Sequence, residues 1–338
     1  MSDDAARPAE AKPAAASLKP HLPDDRWHPF EVVFWLALVA AFFLFPGYRI
    51  LGSQILITGL FAVSLDLILG YAGIVSLGHA AFFGVGAYTA GLLAVHGWGE
   101  PITGLFIAAM VAALVGYGAS FLVVRGHDLA RLMMTLGIGL LLFEAANKAA
   151  FITGGVDGLS DVVMWKLFGI FPFDFAGRMA YVYSLVVLFI LFVVLRRVVA
   201  SPFGLGLTGL RERSRRMPAI GAPLRQREIT IFTASAAIAG IAGALLAQTT
   251  QFVGLDVLSF SRSAELLIIL ILGGTGRLYG GLIGAVAYMA AQDVLSTYIS
   301  TAYWRFWIGL LLVVIVLVAH GGILDGVTHL YRRLTRAQ

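Results

Sequence analysis

The sequence predicts an all-α polytopic membrane protein of about ten transmembrane segments (range about eight to ten), with one or two broken or re-entrant helices and both termini cytoplasmic. Three observations lead there. The 338 residues are 59% hydrophobic and only 13% charged, with a strongly positive mean hydropathy, more apolar than a soluble interior requires. Apolar runs long enough to cross a bilayer follow one another with short connections. Arginines gather in alternate connections, as they do on the inner side of a membrane.

Taken in order, the apolar runs place crossings at 30–45, 50–69, 74–96, 102–124, 130–152, 180–195, 230–252, 264–275, 278–299 and 304–320. The eighth is too short, since a span needs roughly 20 residues at about 1.5 Å of rise each. It is either a half-helix that turns at Gly273-Gly274-Thr275-Gly276 or a tight loop at the membrane surface. Arg125, His127, Arg131, Arg196, Arg197 and the set from Arg211 to Arg227 then share one side with Tyr331-Arg332-Arg333. The loop 153–177, with Asp157, Asp161, Asp174 and a lone Lys166, takes the other. Adding or removing one crossing would move an arginine-rich loop to the wrong side. The domain plan is a disordered cytoplasmic tail at 1–29, a transmembrane domain at 30–321 with a cytoplasmic loop at 198–229, and a C-terminal cytoplasmic tail at 322–338. The first 26 residues, rich in Ala and Pro, lack the architecture of a cleaved signal peptide.

Composition excludes several classes. No cysteine is present, so disulfides, thiolate metal sites and a cysteine nucleophile are out. The net charge of +5 is explained by the inner loops and implies the lipid surface as a partner, without nucleic acid. There is no G-x-x-x-x-G-K-[ST], so the chain cannot cradle nucleotide phosphates itself; no cofactor is expected, and ATP, if used, belongs to other subunits. Nor does any nucleophile, base or metal constellation suggest an enzyme.

Two glycine-rich stretches stand out. One runs Leu69-Gly70-Tyr71-Ala72-Gly73 and on to Gly78, Gly84 and Gly86; the other runs Leu272-Gly273-Gly274-Thr275-Gly276 and on to Gly280, Gly281 and Gly284. Small residues let helices approach closely in lipid, and an internal duplication is a second reading. Five ionisable residues fall inside crossings: Asp66, His79, Glu144, Lys148 and Asp293. Such groups are costly in lipid. Glu144 and Lys148, four apart on one helix face, read as a structural ion pair. His79, just after Ser76-Leu77-Gly78, either lines a solute route along the exposed backbone of the turn or bonds a neighbouring helix. Asp66 precedes the same glycine break and can bond its unwound backbone or serve a proton path. The candidate pathway is thus Asp66, Gly70, Gly73, Ser76, His79, Gly273, Gly274 and Gly276.

The segment 201–228, SPFGLGLTGLRERSRRMPAIGAPLRQRE, is long, amphipathic and on the basic side. Leu207, Leu210 and Met217 fall among arginines, so a short helix can lay an apolar edge on a partner while its charges stay in water. Pro218 and Gly221 end it. Such a lever suits a pump driven by a separate ATPase; alternatively the arginines only set topology and touch anionic lipid.

Four ordered motifs carry a resemblance: the segment from Ser201-Pro202-Phe203-Gly204 to Ile220-Gly221 followed by Arg227 and the small-residue helix 233–247; LGYAGIVSLGHAAFFGVGAYTAGLL at 69–93; LLIILILGGTGRLYGGLIGA at 266–285; and TGGVDGL at 153–159. Over about residues 50 to 320 the chain resembles the LivM-type permeases, membrane subunits of ATP-driven importers of branched-chain and other hydrophobic amino acids. It departs from them at LRERSRRMPAIG and at AHGGILDGV. The resemblance implies a translocation pathway shared with a paralogous permease, two cytoplasmic ATPase subunits, a periplasmic binding protein and a place in the bacterial inner membrane. It also implies coupling to the ATPase through Gly206, Leu207, Leu210, Arg211, Glu212, Arg215, Met217, Ile220 and Gly221. The competing reading is a proton-coupled secondary transporter of small polar or amphipathic solutes using Asp66 or Glu144.

Overall fold

The structure is a computed structural model that describes residues 29–127, 129–171, 177–213, 223–298, 306–307 and 309–310. The regular secondary structure of the described residues is helical apart from isolated bridges. The chain enters through α1 (Pro29–Leu44) and α2 (Arg49–Asp66), which runs on as a π-helical turn at Leu67–Tyr71. Residues 72–79 are not helical. Then come α3 (Ala80–Val95), α4 (Pro101–Val123), α5 (Leu129–Lys148) and the single turn α6 (Ala150–Thr153). Pro101 occupies the first turn of α4, where a missing N–H has no helical partner to lose. The second half holds α7 (Arg178–Ala200), α8 (Pro202–Arg213), α9 (Leu224–Thr250), α10 (Phe260–Gly273) and α11 (Leu278–Tyr298).

Six of these helices are long and apolar enough to cross a membrane, with α1 and α3 shorter. The third expected crossing, 74–96, is corrected: its first residues are unwound and the helix begins only at Ala80. Gly73, with φ of +72°, turns the chain out of helix there. The eighth is a helix of 14 residues, about 21 Å long against a hydrocarbon layer of about 30 Å. Ser259 caps it by accepting from Arg262 N–H. The tenth expected crossing, 304–320, and the two tails lie outside the described residues save for a few positions.

α2 and α9 are buried over most of their length and form the centre, whereas α5 is buried over little. In lipid there is no water to drive apolar faces together, so close backbone approach supplies the packing. α9 achieves it with small residues: a Cβ on Gly240 would run into Ala112 of α4, one on Gly243 into the Phe83 carbonyl of α3, and one on Gly86 of α3 into the Gly240 backbone.

Contacts sort the helix ends into two groups. At one end Arg131 of α5 meets Glu228 of α9 at 2.8 Å, and Arg196 of α7 meets Glu31 of α1 at 2.6 Å. At the other, Leu159 and Val253 exchange backbone bonds of 2.8 and 3.1 Å, and Trp165 N–H donates to the Gly99 carbonyl at 2.8 Å. The arginine-rich connections thus share one end of the bundle and the acidic loop takes the opposite end.

Gly86→Val is expected to lower the stability of the detergent-solubilised protein by about 1–3 kcal/mol through overpacking. Gly118→Ala, in open space on α4, is expected to melt no lower than the parent. Equal melting temperatures for Gly86→Val and the parent would show that α3 and α9 do not cross at Gly86.

Candidate functional site

The two glycine-rich stretches, more than 200 positions apart in sequence, meet in space. Gly70 lies in the π-turn that ends α2, and Gly276 in the turn between α10 and α11. A side chain on Gly70 would collide with the Asp66 carboxylate and with the Gly276 backbone. Gly276 has φ of +78°, and its N–H donates to Asp66 Oδ1 at 2.7 Å. Asp66, fully buried, therefore bonds unwound backbone, as its position before the break suggests, but the backbone is that of the other break. Gly273 packs on Gly280 and Gly284 of α11, and Gly274, at φ of +106°, makes the turn.

The residues between Gly73 and Ala80 leave helical backbone inside the bundle, and neighbouring side chains take up the freed groups. Leu77 N–H donates to Thr135 Oγ1 of α5 at 3.2 Å, and Ala80 N–H to Ser263 Oγ of α10 at 2.9 Å. His79 is buried, stacked on Phe61 with ring centroids 5.6 Å apart, and its Nε2 lies 2.9 Å from Ser64 Oγ. The Ser64 hydroxyl lies 2.6 Å from the Phe61 carbonyl; with its one hydrogen given there, the imidazole hydrogen is assigned to Nε2, which donates to Ser64. Ser235 of α9 completes the cluster by donating to the Ser64 carbonyl. His79 thus bonds a neighbouring helix, one of its two sequence readings. Its Nδ1 and the Ser76 hydroxyl, both buried, have no hydrogen-bond partner among the described residues.

Arg211 of α8 joins the glycine site from the basic end. Its Nη1 donates to the Gly70 carbonyl, an oxygen that the π-turn takes out of the helical bonding pattern, and its side chain lies against Gly73. A cavity of about 710 Å³ opens beside it, bordered by Gly73, His127, Arg131, Leu210 and Glu228. Leu207 and Leu210, expected to form an apolar edge for a partner, are buried in this chain's own core. Burying them inside removes apolar area that would otherwise face water. Gly206 packs under the Arg227 guanidinium, and Glu212 is exposed. Arg215, Met217, Ile220 and Gly221 lie outside the described residues.

Glu144 and Lys148 pair at 3.7 Å near the end of α5, both exposed. They stand apart from the glycine site. The partners Ser64, Thr135, Ser235 and Ser263 carry no sequence signal, since hydroxyls are frequent in apolar helices and usually bond their own turn. Glu228 is different: as the last residue of the arginine-rich segment, it was a visible partner for Arg131.

Asp66→Ala leaves the buried Gly276 N–H without an acceptor and is expected to cost about 1–3 kcal/mol of stability. Asp66→Asn, which keeps an amide oxygen for that N–H, is expected to melt closer to the parent. Equal melting of the two variants would rule out Asp66 as the cap of the α10–α11 turn.

The family described as branched-chain amino acid transport system, permease component, matches residues 49–316. The chain is 28% identical over 313 residues to the high-affinity branched-chain amino acid transport system permease protein LivM of Escherichia coli (strain K12), covering 86% of this chain and 72% of that protein. The Salmonella typhimurium protein of the same name gives the same identity and coverage. A probable branched-chain amino acid transport permease protein LivM of Methanocaldococcus jannaschii is 26% identical over 278 residues, 70% of this chain and 78% of that one. No solved structure gives a significant match. The family match spans both glycine breaks, Asp66, His79 and Arg211, and the chain belongs to the permease components of branched-chain amino acid transport systems.

Proposed function

We propose that this chain is the transmembrane permease subunit of an ATP-binding-cassette importer for branched-chain or related amino acids. It forms the translocation pathway with a paralogous permease in the bacterial inner membrane. Two separate cytoplasmic ATPase subunits drive it, and a periplasmic binding protein feeds it. The observation that carries the reading is the family match over 49–316, which takes in the glycine breaks and the helix α8 beside them. The basic end of the bundle, where α8 lies, is the cytoplasmic end by the distribution of arginine. The sequence holds no phosphate-binding loop, so the energy enters through another protein at that end.

In this scheme ATP binding draws the ATPases together and shifts α8, and the bundle rocks between outward-open and inward-open forms. The broken helices α3 and α10 lie along the route, where backbone outside regular helix is kept away from lipid. The proton-coupled alternative is disfavoured by the family match. Of its two carboxylates, Glu144 is exposed beside Lys148, and Asp66 accepts the Gly276 N–H through Oδ1.

In vesicles holding the assembled complex, leucine uptake is expected to require ATP and the binding protein and to survive collapse of the proton gradient. Uptake that persists without ATP and vanishes with the gradient would establish the proton-coupled carrier instead. Because the sequence has no cysteine, single cysteines report sidedness directly. A cysteine at Arg225 is expected to react with an impermeant reagent only from the cytoplasmic side, and one at Asp161 only from the periplasmic side. The reverse pattern would invert the proposed orientation and remove α8 from reach of any ATPase.

A further inference from the structure

We propose that Arg211 is the positioning residue through which movement of α8 reaches the paired glycine breaks. The inference rests on the reading of the chain as an ATPase-driven permease and specifies where the drive enters the membrane domain. Three observations support it. First, α8 is fastened to its own bundle: Leu207 and Leu210 are buried, so a push on the helix is delivered to this chain's interior. Second, Arg211, on the last turn of α8, holds the Gly70 carbonyl through Nη1. Its Cγ would lie 3.2 Å from a Cβ on Gly73, and its Nη1 2.8 Å from one on Gly276. One side chain therefore touches both breaks. Third, Asp66, one turn before Gly70, takes the Gly276 N–H at 2.7 Å.

The result is a short chain of contacts: α8 backbone, Arg211 guanidinium, Gly70 carbonyl, then Asp66 carboxylate and Gly276 amide. The glycines matter because they leave no flexible side chain between these groups. Displacement of the guanidinium is passed directly to the backbone of the breaks, and the rotamers in the path are those of Arg211 and Asp66. A charge-assisted bond to a carbonyl in the partly buried interior is also stronger than a neutral one.

The test uses the complete complex of both permeases, the ATPases and the binding protein in proteoliposomes, with radiolabelled leucine as the probe. For Arg211→Ala, ATP hydrolysis is expected to stay within about twofold of the parent. Leucine moved per ATP is expected to fall about tenfold or more, the scale of one lost charge-assisted hydrogen bond. Arg211→Lys, which keeps a cationic donor, should recover part of that ratio. A role confined to folding would lower complex yield but not the ratio. An unchanged ratio in Arg211→Ala overturns the proposal.

Should Arg211→Ala fail to assemble, Arg211→Gln with a single cysteine at Ala72 gives a second reading. In the parent, thiol labelling at that buried position should differ between nucleotide-free and ATP-trapped complexes. In Arg211→Gln the difference should disappear. A difference equal to the parent's overturns the link. Absence of ATP-dependent uptake in the unaltered complex would instead overturn the permease reading and this inference with it.

Discussion

Backbone that leaves a helix within the hydrocarbon layer must find its hydrogen bonds in protein, because lipid offers none. That constraint organises this molecule. The stretch after Tyr71 is held because Thr135 receives the Leu77 amide and Ile68 that of Ile74, because Ser263 receives the first amide of α3, and because His79 is bonded to Ser64. The turn between α10 and α11 is tolerated because Asp66 accepts from Gly276. Each break is stabilised by side chains from other helices, so neither can form before α2, α9 and their neighbours are assembled. The small residues of α9 then serve the same end, since they bring α3 and α4 near enough for the hydroxyls to reach.

This dependence joins structure to transport. In the proposed scheme the two breaks supply backbone outside regular helix along the route. They are in contact with each other and not isolated. Their relative position is set by one carboxylate and one guanidinium, which rearrange at less cost than a packed apolar core. A helix that reaches the breaks from the basic end lets an outside source of energy act on them without opening the bundle.

Much of this was legible in the sequence, and the omissions have physical causes. Apolar runs marked α2, α4, α5, α7, α9 and α11 because length and hydropathy alone decide whether a helix spans. The glycine stretches announced breaks, and the Glu144–Lys148 pair followed from helical spacing. The start of α3 was not readable: Ile74 and Val75 look as helical as Phe82 and Phe83, and only tertiary bonds choose between them. That Gly70 would meet Gly276 was also invisible, since long-range contact leaves no local pattern in a single sequence. The inward packing of Leu207 and Leu210 on α8 was not readable for a related reason. Amphipathic periodicity says that Leu207 and Leu210 share a face but not what the face covers, and here it covers the chain's own core.

The helices differ greatly in how firmly they are held. α5 places only Thr135 and Gly139 fully in the interior, and these two rest on Leu77 and Gly78 of the unwound stretch. Detaching α5 would break its ion pair with Glu228, a hydroxyl bond and a tight backbone crossing, whereas detaching α9 would dismantle broad packing against α2, α3 and α4. Rigidity is accordingly apportioned by rod, not by loop: the bundle has a fixed spine and a loosely hung stave. α5 is thus pinned at the unwound stretch itself, through Thr135 and Gly139.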